Sequence, residues 1–336
     1  MRVRHVGWIA TGGITLGGGC ALLAGLLELL LLGAMPTSGF SDPGSADYGR
    51  VSIAVGADNT DDASPASLVG ELLEVEADDG SDVFVDGVRD VEGHERGSLV
   101  ILVDGSGSVE DTDPRRGRVA ATTELAKTLH EYGPEWRISL MEFSNGQPSE
   151  GFDDTHILAD FTTDTAVVES AAPELGASGG TPLWDATHEV LAVLAADASS
   201  SFVGSDNAGM GLVVMSDGAD TESRKSLSDV VALASQHGIA VHTIGFGPAS
   251  DIDASRSSSD VEDVRRLASE TGGFYGYVSE ADKLPDLCSD IAKSLIGGYQ
   301  ELDVRFDKPP TQGQRVAGKV KVVGTDIGVP FEFQAP

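Results

Sequence analysis

Five oxygen-bearing side chains stand out for the chemistry that their types and spacing allow. The apolar run Leu99-Val100-Ile101-Leu102-Val103 ends in Asp104-Gly105-Ser106-Gly107-Ser108. Alternation along an extended loop points the side chains of Asp104, Ser106 and Ser108 toward one spot, and the glycines between them let the backbone turn tightly. A carboxylate and two hydroxyls with no His or Cys form a hard donor set, suited to Mg²⁺, which keeps octahedral geometry and several waters. Two further stretches can reach the same place. Ser178-Gly179-Gly180-Thr181-Pro182-Leu183-Trp184-Asp185 sets Thr181 before a Pro fit for a first helical turn, and Val214-Met215-Ser216-Asp217-Gly218 ends a second apolar run in a carboxylate. Asp104 is expected at the sheet edge, facing solvent rather than the core. The plainer job for these residues is capping, with Asp104 and Asp217 closing turns and Thr181 starting a helix.

An enzyme would need a nucleophile and a base. Ser106 lies in Gly-Ser-Gly rather than Gly-x-Ser-x-Gly, and no His follows in a triad context. Asp217 and Asp220 are not the Asp-x-Asp of phosphate-transferring hydrolases. His188 and His242 fall within a helical and a strand-like run, where a structural role is expected. Gly12-Gly13 and Gly17-Gly18-Gly19 follow no strand, so they are not a dinucleotide fingerprint. Cys288, beside Leu287 and near Ile291, reads as a core residue. No enzymatic activity is expected.

The elements that must position these residues alternate between strand and helix from Ser98 to Gly297. Leu99–Val103 and Leu212–Met215 are continuous apolar runs, as central parallel strands covered on both faces should be. Ile138–Met141, Ala240–Ile244 and Gly273–Tyr275 supply further strands. Helical spacing appears at Ala121, Leu125, Leu129 and Tyr132, at Leu183, Thr187, Val190, Leu191 and Leu194, and over Val261–Glu270 and Asp282–Leu295. The pattern predicts a doubly wound α/β fold with a mainly parallel sheet. In such a fold ligands bind beyond the carboxyl ends of the central strands, where Asp104 and Asp217 stand.

Taken in order, the segments 104–108, 179–186 and 213–220, written D-G-S-G-S, G-G-T-P-L-W-D-A and V-V-M-S-D-G-A-D, resemble the von Willebrand factor type A domain with its metal-ion-dependent adhesion site. The resemblance covers about Ser98 to Gly297. It implies that Ser106 and Ser108 ligate a divalent ion directly, that Thr181 does so in some states, and that Asp104 and Asp217 act directly or through water. Mg²⁺ is the expected ion, with Mn²⁺ or Ca²⁺ as alternatives. It also implies an open coordination position that a carboxylate from a partner protein completes. Asp111 matches the offset of a second, calcium-preferring site in integrin-type relatives. A solvated acidic loop, Glu110, Asp111 and Asp113, at a helix N-terminus is the favoured reading there.

The rest of the 336-residue chain frames this unit. Residues 1–5 carry Arg2 and Arg4 and are expected in the cytoplasm. Residues 6–35 are uncharged apart from Glu28 and exceed the roughly 20 residues that span hydrocarbon, which predicts a retained, single-pass signal-anchor with the bulk of the chain outside the cytoplasm. A lipoprotein linkage at Cys20, or a secreted form, is the lesser alternative. Residues 36–49, rich in Pro, Ser, Gly and Asp, read as a tether. A β-rich flank over 50–97, an α/β domain over 98–298 and a second β-rich flank over 299–336 complete the division. Period-two runs such as Val51–Val55, Asp82–Asp86 and Leu302–Phe306 in the two flanks are expected to pack together, because neither holds enough strands to bury its apolar face alone. With 54 acidic against 22 basic residues the formal charge is −32, which opposes nucleic-acid binding. Other readings are a structural component of a surface or envelope complex and, with the opposite topology, a cytoplasmic helper of an ATPase.

Overall fold

In this computed structural model the described residues are 31–36, 50–57, 73–91, 93–94, 96–144, 146, 148–198, 208–217, 220–246, 259–278, 284–297, 299–311, 314–322 and 328–334. In chain order the strands are β1 (Leu31–Pro36), β2 (Arg50–Ala57), β3 (Leu73–Ala77), β4 (Val83–Val91), β5 (Arg96–Asp104), β6 (Glu135–Phe143), β7 (Thr155–Thr162), β8 (Ala208–Ser216), β9 (Ala240–Phe246), β10 (Tyr275–Val278), β11 (Tyr299–Phe306), β12 (Arg315–Val322) and β13 (Gly328–Gln334). The helices are α1 (Val109–Thr112), α2 (Gly117–Tyr132), α3 (Thr165–Ala171), α4 (Leu183–Ala198), α5 (Leu227–His237), α6 (Ser259–Thr271) and α7 (Leu284–Gly297). The chain divides into Gly93–Gly297 and a second unit that joins the residues on either side of it.

The apolar run that ends at Asp104 is the interior strand β5 of a six-stranded sheet ordered β10-β9-β8-β5-β6-β7. Pairing is parallel except at the edge, where β7 runs antiparallel to β6. Leu99 to Val103 are fully buried, and their alternation serves two layers. Val100 and Leu102 join Leu183, Val190, Leu191 and Leu194 of α4 and Val230 of α5 in one core. The opposite face carries α2 and α7, whose Ala121, Leu125, Leu129, Leu284, Cys288 and Ile291 are also buried. Cys288 is fully buried in that interior, as its neighbours suggested.

Several elements escaped the sequence reading. Strand β7 carries His156 and Asp160 among its apolar residues and pairs along one side only, so no apolar run marks it. Helix α3 is opened by Asp164, whose side chain accepts from Ala166 N–H at 3.0 Å. Helix α5 opens on a capping box between Ser226 and Asp229.

In the second unit the two flanks share sheets, as expected of them. β11 pairs antiparallel with β2 on one side and β4 on the other, and β12 lies between β3 and β13. Each sheet hides one face. Leu302, Val304 and Phe306 alternate with Asp303 and Arg305 along β11, and Val316 and Val320 are buried on β12. Leu73–Ala77 is a strand with Val75 and Ala77 buried.

The end of the expected membrane span takes a different form. Leu31–Pro36 is a strand that pairs antiparallel with β2, Met35 opposite Ala54 and Pro36 opposite Ile53. An apolar run alone does not separate membrane helix from strand, and here β2 supplies the backbone partners that decide it. Residues 1–30 and 37–49, which hold the remainder of the expected anchor and tether, lie outside the described residues. Among the described residues no helix is long and apolar enough to cross a membrane.

Candidate functional site

After β5 the chain adds β6 and β7 on one side, then crosses to place β8, β9 and β10 on the other. The strand order therefore reverses between β5 and β8, and the crevice beyond their carboxyl ends is the topological switch point of the sheet. Asp104 is the last residue of β5 and Asp217 directly follows β8.

The side-chain oxygens of three of the five expected residues are in direct contact. The Ser106 and Ser108 hydroxyls lie 3.0 Å apart, and Ser108 Oγ donates to Asp217 Oδ1 at 2.9 Å. Asp104 joins them through its neighbours. Its Oδ1 accepts from Ser106 N–H at 2.8 Å and its Oδ2 from Ser216 Oγ at 2.6 Å. The expectation of a solvent-facing Asp104 fails: its exposure is 0%, because Ser106 and Ser216 close over both carboxylate oxygens. Asp217 and Thr181 are buried as well.

Thr181 sits on the adjoining loop, which backbone bonds stitch to the rest. Ser178 N–H donates to Gly105 O at 2.7 Å and Gly107 N–H to Gly179 O at 3.0 Å. Thr181 N–H donates to Thr221 Oγ1 at 3.1 Å, and Thr221 N–H returns a bond to Thr181 O at 2.9 Å. A Cβ at 105 would come within 2.5 Å of the Glu142 carboxyl carbon, so any larger residue there must displace the Glu142 side chain. Beyond Pro182 the first turn of α4 is held by a second cluster. Ser223 Oγ accepts from the N–H groups of Trp184 and Asp185, each at 3.0 Å, and donates to Asp220 Oδ1. Asp185 in turn accepts from the N–H groups of Arg224 and Lys225. Turn closure thus accounts for one bond of Asp104, from the N–H of Ser106 two positions on, whereas Asp217 accepts from the side chains of Ser108 and Thr112 on another segment of the chain.

Sequence reasoning missed two supporting hydroxyls. Thr112 Oγ1 hydrogen-bonds Asp217 Oδ2, and its place one helical turn after Ser108 was the available signal. Ser216, adjacent to Asp217 in a recognised motif, holds Asp104. In the acidic loop Asp111 is exposed. Asp113 is buried instead, accepting from Gly117 N–H and Arg118 N–H at the start of α2 and pairing with the buried Arg118 at 3.5 Å. Arg116 begins that helix with φ 56°, a left-handed conformation paid for by its guanidinium, which donates to the carbonyls of Pro173 and Leu175 at 2.7 and 2.8 Å. His242, expected to be structural, is buried in β9 with Nδ1 accepting from Phe274 N–H at 3.1 Å.

Burial and the nearby Asp217 charge push the Asp104 carboxyl up to about 6, against the lowering effect of its bonds from Ser106 and Ser216. Two buried carboxylates thus repel each other while bonded to hydroxyls and an amide, an arrangement that a positive charge would relieve. The donor chemistry fits a hard divalent ion. It relies on hydroxyls rather than a carboxylate cage: among the described residues no group of three or more His, Cys, Asp or Glu is disposed to hold a metal.

The sequence model of the von Willebrand factor type A domain matches residues 98–290. Solved structures similar to this chain include a von Willebrand factor type A protein from Catenulispora acidiphila, at 12% identity over 91% of this chain and 73% of that one, with TM-score 0.45. The pilus adhesin SpaC from Lactobacillus rhamnosus GG in its open conformation is 13% identical over 90% of this chain and 54% of its own, with TM-score 0.46. Proximal thread matrix protein 1 from the mussel byssus is 14% identical over 68% and 51%, with TM-score 0.43. Curated protein sequences contain no match to the chain. The matched segment spans more than half of the chain and contains the whole six-stranded sheet apart from the first residues of β5, so this protein belongs to the von Willebrand factor type A domain family.

Proposed function

We propose that the domain binds one divalent cation, Mg²⁺ foremost, at Asp104, Ser106, Ser108, Thr181 and Asp217, and through it a carboxylate of a protein partner. The observation that carries this reading is the meeting of the Ser106, Ser108 and Asp217 oxygens at the switch point, with Asp104 buried beside them. When bound, such an ion supplies an electrophilic position for an acidic side chain. The residues of the chain orient the donors beforehand. Ser106 N–H and Ser216 fix one carboxylate, Ser108 and Thr112 the other, and supporting bonds of this kind govern metal affinity strongly. Three of the five donors are neutral hydroxyls, so the shell leaves the ion more electrophilic than a carboxylate cage would.

The reading is of a binding module rather than an enzyme, in keeping with a Ser106 that lies in Gly-Ser-Gly rather than in a nucleophile motif. It places the domain outside the cytoplasm on a single-pass anchor. The support is Arg2 and Arg4 ahead of an uncharged stretch, Val6–Leu27, which by itself reaches the roughly 20 residues a span needs and ends before β1. Calorimetric titration with Mg²⁺, then with acetyl-aspartate amide, tests the binding function. Saturable Mg²⁺ binding and a carboxylate response that chelator abolishes are expected, and a carboxylate response indifferent to chelator would overturn it. Protease access to a C-terminal tag in intact cells tests the topology, with protection of the tag as the contrary result.

A further inference from the structure

A cleft of about 310 Å³ opens beside the loop of Asp104 to Ser108, lined by Glu142, Ser144, Gly146, Pro148, His156 and Ser178. None of these belongs to the proposed cation set. Glu142 and His156 oppose each other in the β6–β7 ladder, so both side chains leave the sheet on one face. Met141 and Phe143, on the other face, are in the core with α4. Glu142 Oε2 accepts from Gly176 N–H, while Oε1 lies against Gly105 and accepts no hydrogen bond among the described residues. The cleft and the cation loop are one hydrogen-bonded piece, because Ser178 N–H donates to the Gly105 carbonyl.

The lining chemistry selects a class of ligand. A carboxylate with a spare oxygen, two hydroxyls and an imidazole are acceptors for a donor-rich cation, and among the described residues no Lys or Arg lines the cleft. Arg118, whose charge acts on Glu142, is buried and bonded to Asp113 and to the Gly176 carbonyl. The volume lies at the small end of ligand clefts and admits a long side chain. The strongly acidic chain adds a field that draws cations and repels anions.

We infer that this cleft receives a basic side chain, guanidinium or ammonium, of the protein partner whose carboxylate the cation site takes. The inference rests on the cation reading above for the carboxylate, but not for the base. Ser178 and Thr181 are three positions apart, so at most about 10 Å of chain separates the two subsites. The acid and base therefore lie within a few residues of each other in an extended partner segment.

Two probes on the full chain test this. The first is agmatine, a guanidinium without a carboxylate, followed by amide chemical shifts in chelator. Shifts confined to Ser144, Gly146, His156 and Ser178 are expected, with a loss of at least tenfold in affinity for Glu142→Gln, which keeps an acceptor for Gly176 N–H. The second is a set of capped peptides carrying Asp and Arg separated by zero to three Gly, each paired with its citrulline counterpart, titrated with Mg²⁺ present. At the best spacing Arg should exceed citrulline by about tenfold in the parent and equal it in Glu142→Gln, with Mg²⁺ affinity the same in both proteins. Absence of agmatine shifts at the cleft, or equal binding of Arg and citrulline peptides in the parent, overturns the inference. Failure of Mg²⁺ to bind while agmatine still shifts the cleft instead overturns the cation reading alone.

Discussion

Replacing Asp104 with Asn should stabilise the cation-free domain at neutral pH and do so less as the solution is acidified. The carboxyl is fully buried, and burial together with Asp217 raises it from an ordinary 3.8 to about 6. A rise of that size corresponds to about 3 kcal/mol of unfavourable ionisation in the folded state, at about 1.4 kcal/mol per unit. Because the folded value is raised, the stabilising contribution of the group is complete below 3.8 and is lost as pH climbs through 6. Asn keeps an oxygen for Ser106 N–H, and its amide can donate to the Ser216 hydroxyl. The advantage of Asp104→Asn over the parent should therefore be about 2 kcal/mol larger at pH 8 than at pH 4.5. Urea unfolding in chelator, followed by tryptophan fluorescence, measures this directly, since Trp136 and Trp184 are both buried in the α/β unit. A parent-to-variant difference that does not change with pH would refute the electrostatic account of Asp104.

The buried His242 should act in the opposite direction. Burial lowers it from 6.5 to about 4, so its contribution is intact above 6.5 and about 3 kcal/mol is lost as pH falls toward 4; His242→Gln should flatten that part of the urea-midpoint profile, and an unchanged acid slope would count against it. Gly105→Ala forces a Cβ onto the Glu142 carboxylate and should cost about 1–3 kcal/mol, with most of the loss recovered when Glu142→Ala is added; additive single effects would show that the crowding is not there. Ser223→Ala removes the acceptor for the N–H groups of Trp184 and Asp185 and should cost about 1 kcal/mol in the same assay, against no change if α4 is held by packing alone. In the flanking unit, Val304→Ala should cost about 2 kcal/mol, read as a lower unfolding midpoint by circular dichroism, because its side chain is fully buried on a C-terminal strand that lies between β2 and β4 of the N-terminal flank; a midpoint unchanged from the parent would mean that this buried face adds nothing to the unit.

The parts of this fold that were legible in the sequence are those where one residue type fills many consecutive positions. β5 and β8 are buried on both faces, so Leu99–Val103 and Leu212–Met215 had to be unbroken apolar runs. The candidate site was legible because its two carboxylates, Asp104 and Asp217, stand at the ends of those two strands. β7 was hidden by its position at the sheet edge, which admits His156 and Asp160, and β1 by the ambiguity of an apolar stretch whose partner β2 lies some twenty residues on. The burial of Asp104 could not be read locally. It depends on Ser216, which is 112 positions away, approaching one carboxylate oxygen while the turn to Ser106 covers the other. The flanks were legible as needing each other, since the alternation of Leu302, Val304 and Phe306 leaves an apolar face that three strands cannot cover.

The most direct test of the central claim is the Mg²⁺ affinity of the parent against that of Ser108→Ala at pH 7.5 and matched ionic strength. Ser108 is exposed and joins Ser106 to Asp217, so its loss should spare the fold while removing a donor from the site. A single saturable Mg²⁺ site in the parent, weakened at least tenfold in Ser108→Ala with an unaltered unfolding midpoint in chelator, is the result predicted here. Equal Mg²⁺ affinity in the two proteins, or no saturable binding in the parent, would contradict it.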